Sequence, residues 1–228
     1  MEIQNLIDQA LINEQQEYLK RERSGKWNPS SFGQCYRRQV WHRKNMKPSN
    51  PSDTRGLRVL KAGNLFHDYV QQFFPESDTE VLIETKDTKG YADIVREDEV
   101  IDIKSQHSRA FWYMEKSEFD VTTEKIGHIL QLMWYVLELR KKQGRLIYIS
   151  KDDLCSSEYK FYPKDWEWKV KKELVILNSY YDKNILPEAQ PRLYPERKKN
   201  EEGKKEVVGF KECQWCQFKD MCDKKEGK

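Results

Sequence analysis

A chain of 228 residues can bury one sizeable core, alone or with a small appendage. Charged residues make up 35% and the net charge is +3, which permits an anionic partner such as nucleic acid without demanding one. With no run of about twenty apolar residues and no apolar leader, the sequence argues against a membrane-spanning or exported chain, and an intracellular, cytoplasmic setting is the expectation.

Ile3, Leu6, Ile7, Ala10, Leu11 and Leu19 recur at near-helical spacing and predict an amphipathic helix from Met1 to about Arg23, packed on the body and ended by Ser24-Gly25. A second helix is expected to start around Asn28-Pro-Ser-Ser31, where capping oxygens are available, and to carry Cys35, Tyr36, Arg37, Arg38, His42, Arg43 and Lys44. Cys35 reads there either as a small buried apolar side chain or as a ligand, and the basic residues as a phosphate contact or a solvated face. A third helix follows the Pro48 to Asp53 loop and runs from about Arg55 to Phe74. Leu57, Leu60, Val70 and Phe74 mark its apolar face, and His67 falls on it, pointing inward as a satisfied core histidine or as a ligand.

Strands are predicted at about Glu80 to Glu84, Gly90 to Arg96 and Val100 to Lys104. In the last of these Ile101 and Ile103 alternate with Asp102 and Lys104, so the carboxylate and the ammonium share a face. A turn at Glu97-Asp98 pairs Asp93 with Asp102. Opposed β-carbons in an antiparallel pair lie about 4.5 to 5.5 Å apart, where two carboxylates repel unless a cation sits between them. Oxygen donors with room for water and phosphate favour Mg²⁺ or Mn²⁺. An ordinary charged hairpin is the plain alternative, and because Glu-Asp is not the Asn-Gly pair of a type I′ turn, a three-residue loop would shift the register.

Farther on, Phe111-Trp112-Tyr113 either stacks on unpaired bases or fills a groove. From Thr123 to about Lys142 a helix that is apolar nearly all round is expected to be central, and to end at Gly144. His128, Gln131 and Tyr135 share one of its faces, which therefore borders a polar site. Strands at Arg145 to Ser150 and Glu158 to Tyr162 precede a helix from about Lys164 to Asn184. Pro187, Pro191, Pro195 and the charge run from Arg197 to Lys205 read as a linker or surface loop. Five cysteines in an intracellular protein point to metal ligation before disulfides. Cys213, Cys216 and Cys222 form a tight C-terminal triplet, one ligand short of the four that zinc and iron–sulfur sites commonly take.

The order of a helix with His, a strand with Asp, a strand with Asp-x-Lys and a helix with Gln-xxx-Tyr, framed by Cys35 and the cysteine triplet, resembles the RecB-type branch of the PD-(D/E)xK nucleases. Within it the chain is most similar to the iron–sulfur exonucleases: the CRISPR-associated Cas-four family, AddB nuclease domains and eukaryotic exonuclease V. The likeness spans about Ser31 to Cys222. It implies an α/β fold with a restriction-endonuclease-like core, a central mixed sheet flanked by helices, whose N- and C-terminal segments are joined by a four-cysteine iron–sulfur cluster. Residues 1–54 would be the N-terminal helical segment, 55–185 the nuclease core, and 186–228 the linker and cysteine segment.

The resemblance further implies that His67, Asp93, Asp102 and the main-chain carbonyl of Ile103 bind the catalytic Mg²⁺ or Mn²⁺ and that Lys104 orients or activates the attacking water. Gln131 and Tyr135 match the Q-xxx-Y motif and would position the DNA strand and support Lys104. Cys35, Cys213, Cys216 and Cys222 would hold a four-iron four-sulfur cluster, with zinc as the alternative; Cys155 matches nothing in the pattern. Asp102 stands where many members carry Glu, which shortens the metal-binding arm, and Glu84 is a candidate for a second metal. The expected function is a metal-dependent DNA exonuclease acting on single strands or frayed ends with little sequence preference, in CRISPR adaptation, phage recombination or repair, with a helicase or CRISPR adaptation proteins as possible partners. A noncatalytic DNA-binding or assembly module with a structural or redox-sensing cluster is the alternative, and the intact Asp93, Asp102 and Lys104 argue against it.

Overall fold

A computed structural model describes residues 2–116, 119–189, 195–199, 201 and 205–225. In chain order the elements are α1 (Ile3–Lys20), a 3-10 turn (Pro29–Ser31), α2 (Tyr36–Arg43), α3 (Thr54–Gln71), a second 3-10 turn (Glu76–Asp78), β1 (Thr79–Glu84), β2 (Lys89–Val95) and β3 (Glu99–Gln106). They continue with α4 (Ser108–Met114), α5 (Val121–Glu124), α6 (Ile126–Glu138), β4 (Gln143–Ser150), β5 (Ser156–Phe161), α7 (Pro163–Asp182), β6 (Pro195–Lys199), β7 (Lys205–Phe210), α8 (Lys211–Gln214) and α9 (Lys219–Lys225). Two compact units result: Lys26–Gln34 with Val59–Ser179, and Met1–Gly25 with Cys35–Arg58 and Tyr180–Lys228. Among the described residues no helix is long and apolar enough to cross a membrane.

The first unit is built on a mixed sheet in the order β1-β2-β3-β4-β5. β3 and β4 run parallel and the other neighbours antiparallel. A parallel pair requires a crossover, which α4, α5 and α6 supply. Ile94 of β2, Ile101 and Ile103 of β3 and Ile147 and Ile149 of β4 form one apolar cluster with Phe66, Val70 and Phe74, so the C-terminal half of α3 covers that face. Leu60, expected on the same helix face, is exposed, because six positions before Phe66 places it around the helix from the buried stripe.

α6 packs against the opposite face. It is buried along Ile129 to Val136, as its apolar sequence requires. A β-carbon on Gly144 would stand 2.5 Å from Met133 Cε and 2.7 Å from Leu132 Cγ, so the strand can approach the helix only with glycine there. This corrects the expectation that Gly144 ends the helix: α6 stops at Glu138, Arg140 turns the chain with φ 53°, and Gly144 lies inside β4. Residues Lys26–Gln34 tie into α7, with Trp27 Nε1 donating to Asn178 at 2.7 Å and Glu173 accepting the Gly33 N–H at 2.9 Å.

In the second unit α1 buries only Leu11, while Ile3, Leu6, Ile7 and Leu19 stay exposed, contrary to the expected packing. Polar contacts hold it: Arg58 pairs with Asp8 at 2.6 Å, and Gln15 donates to the Ser52 carbonyl at 3.2 Å. α2 starts at Tyr36 rather than near Ser31, because Asn28 caps the 3-10 turn and leaves Cys35 at the N-cap of α2. The tilted rings of Trp41 of α2 and Phe218 lie 5.4 Å apart in a cluster with Cys216, Leu186, Met221 and Cys222. Asn50 donates its N–H to the Gln217 carbonyl and accepts the Asp220 N–H, each at 2.9 Å. Where a linker was expected, β6 and β7 pair antiparallel. Val207, Val208 and Phe210 supply strand propensity, and proline is tolerated at the first strand position, where Pro195 stands.

The two faces of the sheet give a matched pair of expectations. Gly144→Ala should destabilise the protein by about 1–3 kcal/mol through overpacking against α6. Gly63→Ala, inside α3 with only Ser105 Oγ 3.9 Å from the new methyl, should be neutral or stabilising by up to about 1 kcal/mol. Urea unfolding of the two variants beside the parent checks both signs.

Candidate active site

The ladder between β2 and β3 is short. Arg96 N–H bonds to the Glu99 carbonyl at 2.8 Å across the turn, Val95 pairs with Val100, and Ile94 pairs with Ile101. This register sets Asp93 opposite Asp102, as the Glu97-Asp98 turn implies. Main-chain pairing stops there, and the Ile103 N–H donates instead to Asp93 Oδ2 at 2.7 Å. β3 stays paired with β4 as far as Gln106 while β2 departs, so a carboxylate occupies the place of a strand.

Asp102, on β3 beside this opening, is 1% exposed. Lys104 Nζ lies 2.6 Å from its Oδ2 in a buried ion pair, and its Oδ1 has no hydrogen-bond partner among the described residues. Burial pushes the Asp102 carboxyl up to about 6 against the opposing pull of Lys104. Burial raises Asp93 as well, with Lys104 and the Ile103 N–H opposing it. For Lys104, burial is outweighed by Asp102 and Asp93, which hold the ammonium above its ordinary value. His67 Nδ1 approaches Asp93 Oδ2 to 3.5 Å, and burial together with Lys104 lowers its pKa, leaving a neutral imidazole suited to ligation.

Gln131 and Tyr135 of α6 are both buried, as their shared face predicts. The Tyr135 hydroxyl reaches to 2.6 Å from where a β-carbon of Gly90 would stand, so glycine on β2 makes room for it. Burial and then Asp102 and Asp93 keep this phenol protonated well above its ordinary pKa, while a hydrogen bond from Gln131 opposes them. One turn earlier, His128 Nδ1 lies 2.7 Å from the Tyr148 hydroxyl. Burial, Lys104 and Lys125 push this imidazole down to about 3, so it stays neutral.

The structure thus brings together His67, Asp93, Asp102, Lys104 and Tyr135, with Ile103 bonded to Asp93 and Gln131 bonded to Tyr135. It also adds residues that sequence reading missed. Gln71 donates to Glu80 at 2.8 Å and to the Asp93 carbonyl at 3.2 Å, and its place four residues after His67 on one helix face was a usable signal. Glu84 is engaged elsewhere, with Lys26 at 3.0 Å and Lys89 at 3.2 Å. Of the aromatic triplet, Phe111 is buried in the fold, whereas Trp112 and Tyr113 are 51% and 45% exposed.

In the other unit Cys216 and Cys222 share one apolar cluster. Cys216 N–H bonds to the Cys213 carbonyl at 3.2 Å, and Arg37, two residues after Cys35, donates to Cys222 Sγ at 3.4 Å. Among the described residues no three His, Cys, Asp or Glu side chains are drawn in tightly enough to close on a metal ion. The donors nevertheless suit the expected groups. A buried carboxylate with one oxygen on Lys104 and the other without a hydrogen-bond partner among the described residues fits a hard divalent cation, with His67 and Asp93 alongside. Four cysteines carried by α2 and the C-terminal segment, which pack on each other, fit a thiophilic metal or cluster.

No family model and no curated protein matches this chain. Solved structures do. The protein titled SSO0001 is 20% identical, with 97% of this chain and 96% of that chain covered and a TM-score of 0.56. The alkaline exonuclease LHK-Exo of Laribacter hongkongensis is 11% identical over 74% of this chain and 93% of that one, with a TM-score of 0.51. The chain therefore has the α/β fold of these proteins, a mixed five-stranded sheet flanked by helices, which is the restriction-endonuclease-like class expected from the sequence.

Proposed function

We propose that this protein is a metal-dependent DNA exonuclease that hydrolyses phosphodiester bonds in single strands or frayed ends with little sequence preference. One observation carries the reading: among the described residues, buried Asp102 has only the Lys104 ammonium, 2.6 Å away, on its Oδ2 and no hydrogen-bond partner on its Oδ1, opposite an Asp93 that has replaced a strand. His67, Asp93, Asp102 and the Ile103 carbonyl would hold Mg²⁺ or Mn²⁺, which supplies neutralisation of charge developing on the phosphoryl oxygens and acidifies water. Lys104 donates a hydrogen bond that orients the attacking water, and its charge favours hydroxide. Tyr135, fixed by Gln131 and protonated at neutral pH, donates to the strand rather than accepting from it. The exposed Trp112 and Tyr113 offer π faces to unpaired bases, which supports a sequence-tolerant single-strand or end substrate.

Cys35, Cys213, Cys216 and Cys222 would hold a four-iron four-sulfur cluster that ties the chain ends within their own unit. CRISPR adaptation, phage recombination and repair are the settings that need such an activity. A helicase or adaptation proteins are the partners that would deliver opened ends.

The first test is degradation of end-labelled single-stranded and duplex DNA with Mn²⁺, Mg²⁺ or EDTA. Metal-dependent digestion is expected, single strands faster, and Lys104→Ala should lower the rate by roughly 10²- to 10⁴-fold. A folded, metal-loaded protein that digests neither substrate would move the reading to a DNA-binding module. The pH dependence has a defined sign. A carboxyl raised to about 6 must lose its proton before it can ligate, so at limiting Mn²⁺ the apparent metal affinity should fall as pH drops below about 6 and level off above it. An unchanged affinity between pH 5 and about 7 would remove Asp102 from the ligand set.

The cysteine quartet has its own readout. Protein purified without oxygen should be brown and lose visible absorption in Cys216→Ser, together with several kcal/mol of stability, roughly 5 by analogy with a crosslink closing so long a loop. A colourless protein with stoichiometric zinc would replace the cluster by zinc.

A further inference from the structure

Sequence alone left the basic residues of α2 open between a phosphate contact and a solvated face, and Arg37 takes neither place. It is 4% exposed, on the inward side of the helix with Val40 and Trp41. Its Nε donates to the Pro187 carbonyl at 2.7 Å, its Nη1 donates to Cys222 Sγ at 3.4 Å, and its Cζ lies 5.9 Å from the centre of the Trp41 ring. Two bonds from one planar fork fix the direction of the guanidinium. They set its charge against the apolar cluster of Trp41, Phe218, Cys216 and Cys222.

A guanidinium stays charged in proteins, and burying it is costly unless strong acceptors meet it. The bond to Pro187 is enough to tie that segment to α2. The bond to Cys222 does something further, because a sulfur that ligates a metal centre carries charge and responds to a donor placed on it. Arg37 also stands two residues after Cys35, so the same turn of α2 offers one ligand of the expected quartet and a cation on another.

We propose that Arg37 is the positioning residue that sets the reduction potential of the centre expected at Cys35, Cys213, Cys216 and Cys222, raising it through its bond to Cys222 Sγ. This rests on the iron–sulfur reading above. A four-iron four-sulfur core with four thiolates is anionic, and taking up one electron adds negative charge without forming or breaking a bond and without moving a proton at Arg37. A fixed cation on a ligating sulfur, where little water reaches to screen it, favours the more negative state.

Anaerobic potentiometric titration of the cluster-loaded full chain tests this, with dithionite as the electron donor and visible absorption and electron paramagnetic resonance as the readouts. Arg37→Gln keeps a donor and drops the charge, so its reduced-to-oxidised ratio at a fixed potential should fall about tenfold, equivalent to about 59 mV for a one-electron couple. Arg37→Met, which fills the space with no charge, should shift the same way and carries the test if Arg37→Gln does not take up the cluster. Arg37→Lys should keep the ratio within about threefold of the parent. Equal potentials in the parent and the uncharged variants overturn the proposal and leave the cluster reading standing. Loss of the cluster from all three variants makes Arg37 a structural tie, and loading in Arg37→Lys alone makes its charge a requirement for holding the centre; either result overturns the tuning role. A colourless, zinc-loaded parent removes the iron–sulfur reading and this proposal with it.

Discussion

The site depends on one hydrogen bond, from the Ile103 N–H to the Asp93 carboxylate. A β-strand ends its partnership with a neighbour only if its exposed donors find another acceptor, because an unpaired buried N–H costs as much as a lost hydrogen bond. Asp93 supplies that acceptor at 2.7 Å, and β2 can therefore leave β3 after the Ile94–Ile101 pair without stranding the Ile103 donor. The departure holds because β3 is secured on its other edge, where its pairing with β4 runs unbroken from Glu99 to Gln106. Isoleucines from three strands, pressed by Phe66 and Val70, keep β3 in place beneath the opening.

Charge is then concentrated where water is scarce. A buried carboxylate beside a lysine is weak evidence for stability, since the desolvation of two ions can exceed their attraction. At Asp102 the balance is poorer still, because its Oδ1 has no hydrogen-bond donor among the described residues. The fold tolerates this by surrounding the site with strong packing: α6 is buried from Ile129 to Val136 and Gly144 lets it lie close on β4. Neutral polar groups complete the wall. His128 is paired with Tyr148 and held far from protonation, and Tyr135 keeps its proton, so both serve as dipoles without adding net charge. Asp102 meets directly the ammonium of the lysine two residues along its own strand.

Much of this was legible in the sequence because strand periodicity is rigid. The alternation of Ile101, Asp102, Ile103 and Lys104, with a two-residue turn at Glu97-Asp98, sufficed to place Asp93 opposite Asp102. The stripe of Gln131 and Tyr135 followed from helical spacing. What remained hidden depends on contacts that no local period encodes. Gly144 reads as a helix stop by composition, yet its role is set by Met133 and Leu132 pressing from another element. α1 has an apolar stripe by spacing, but the structure ties it by Asp8 and Gln15 and leaves most of that stripe in solvent.

The distribution of chemistry along the chain carries a last consequence. The residues assigned to phosphodiester hydrolysis lie within Val59–Ser179, and the four cysteines lie in the other unit, within Cys35–Arg58 and Tyr180–Lys228. That second unit joins chain segments more than a hundred residues apart, and large loops are entropically costly to close, although the cost grows only slowly with length. Among the contacts that join these segments are the tilted Trp41–Phe218 ring pair, the reciprocal bonds at Asn50, and the Arg37 guanidinium on the Pro187 carbonyl and Cys222 sulfur. Each is the kind of contact worth about 1 kcal/mol, which is modest beside the closure it must sustain. Four thiolate bonds to a common centre would change that balance without touching the carboxylates. The cysteines are therefore best understood through the folding of their own unit, and the carboxylates proposed to hold the metal through the broken ladder in theirs.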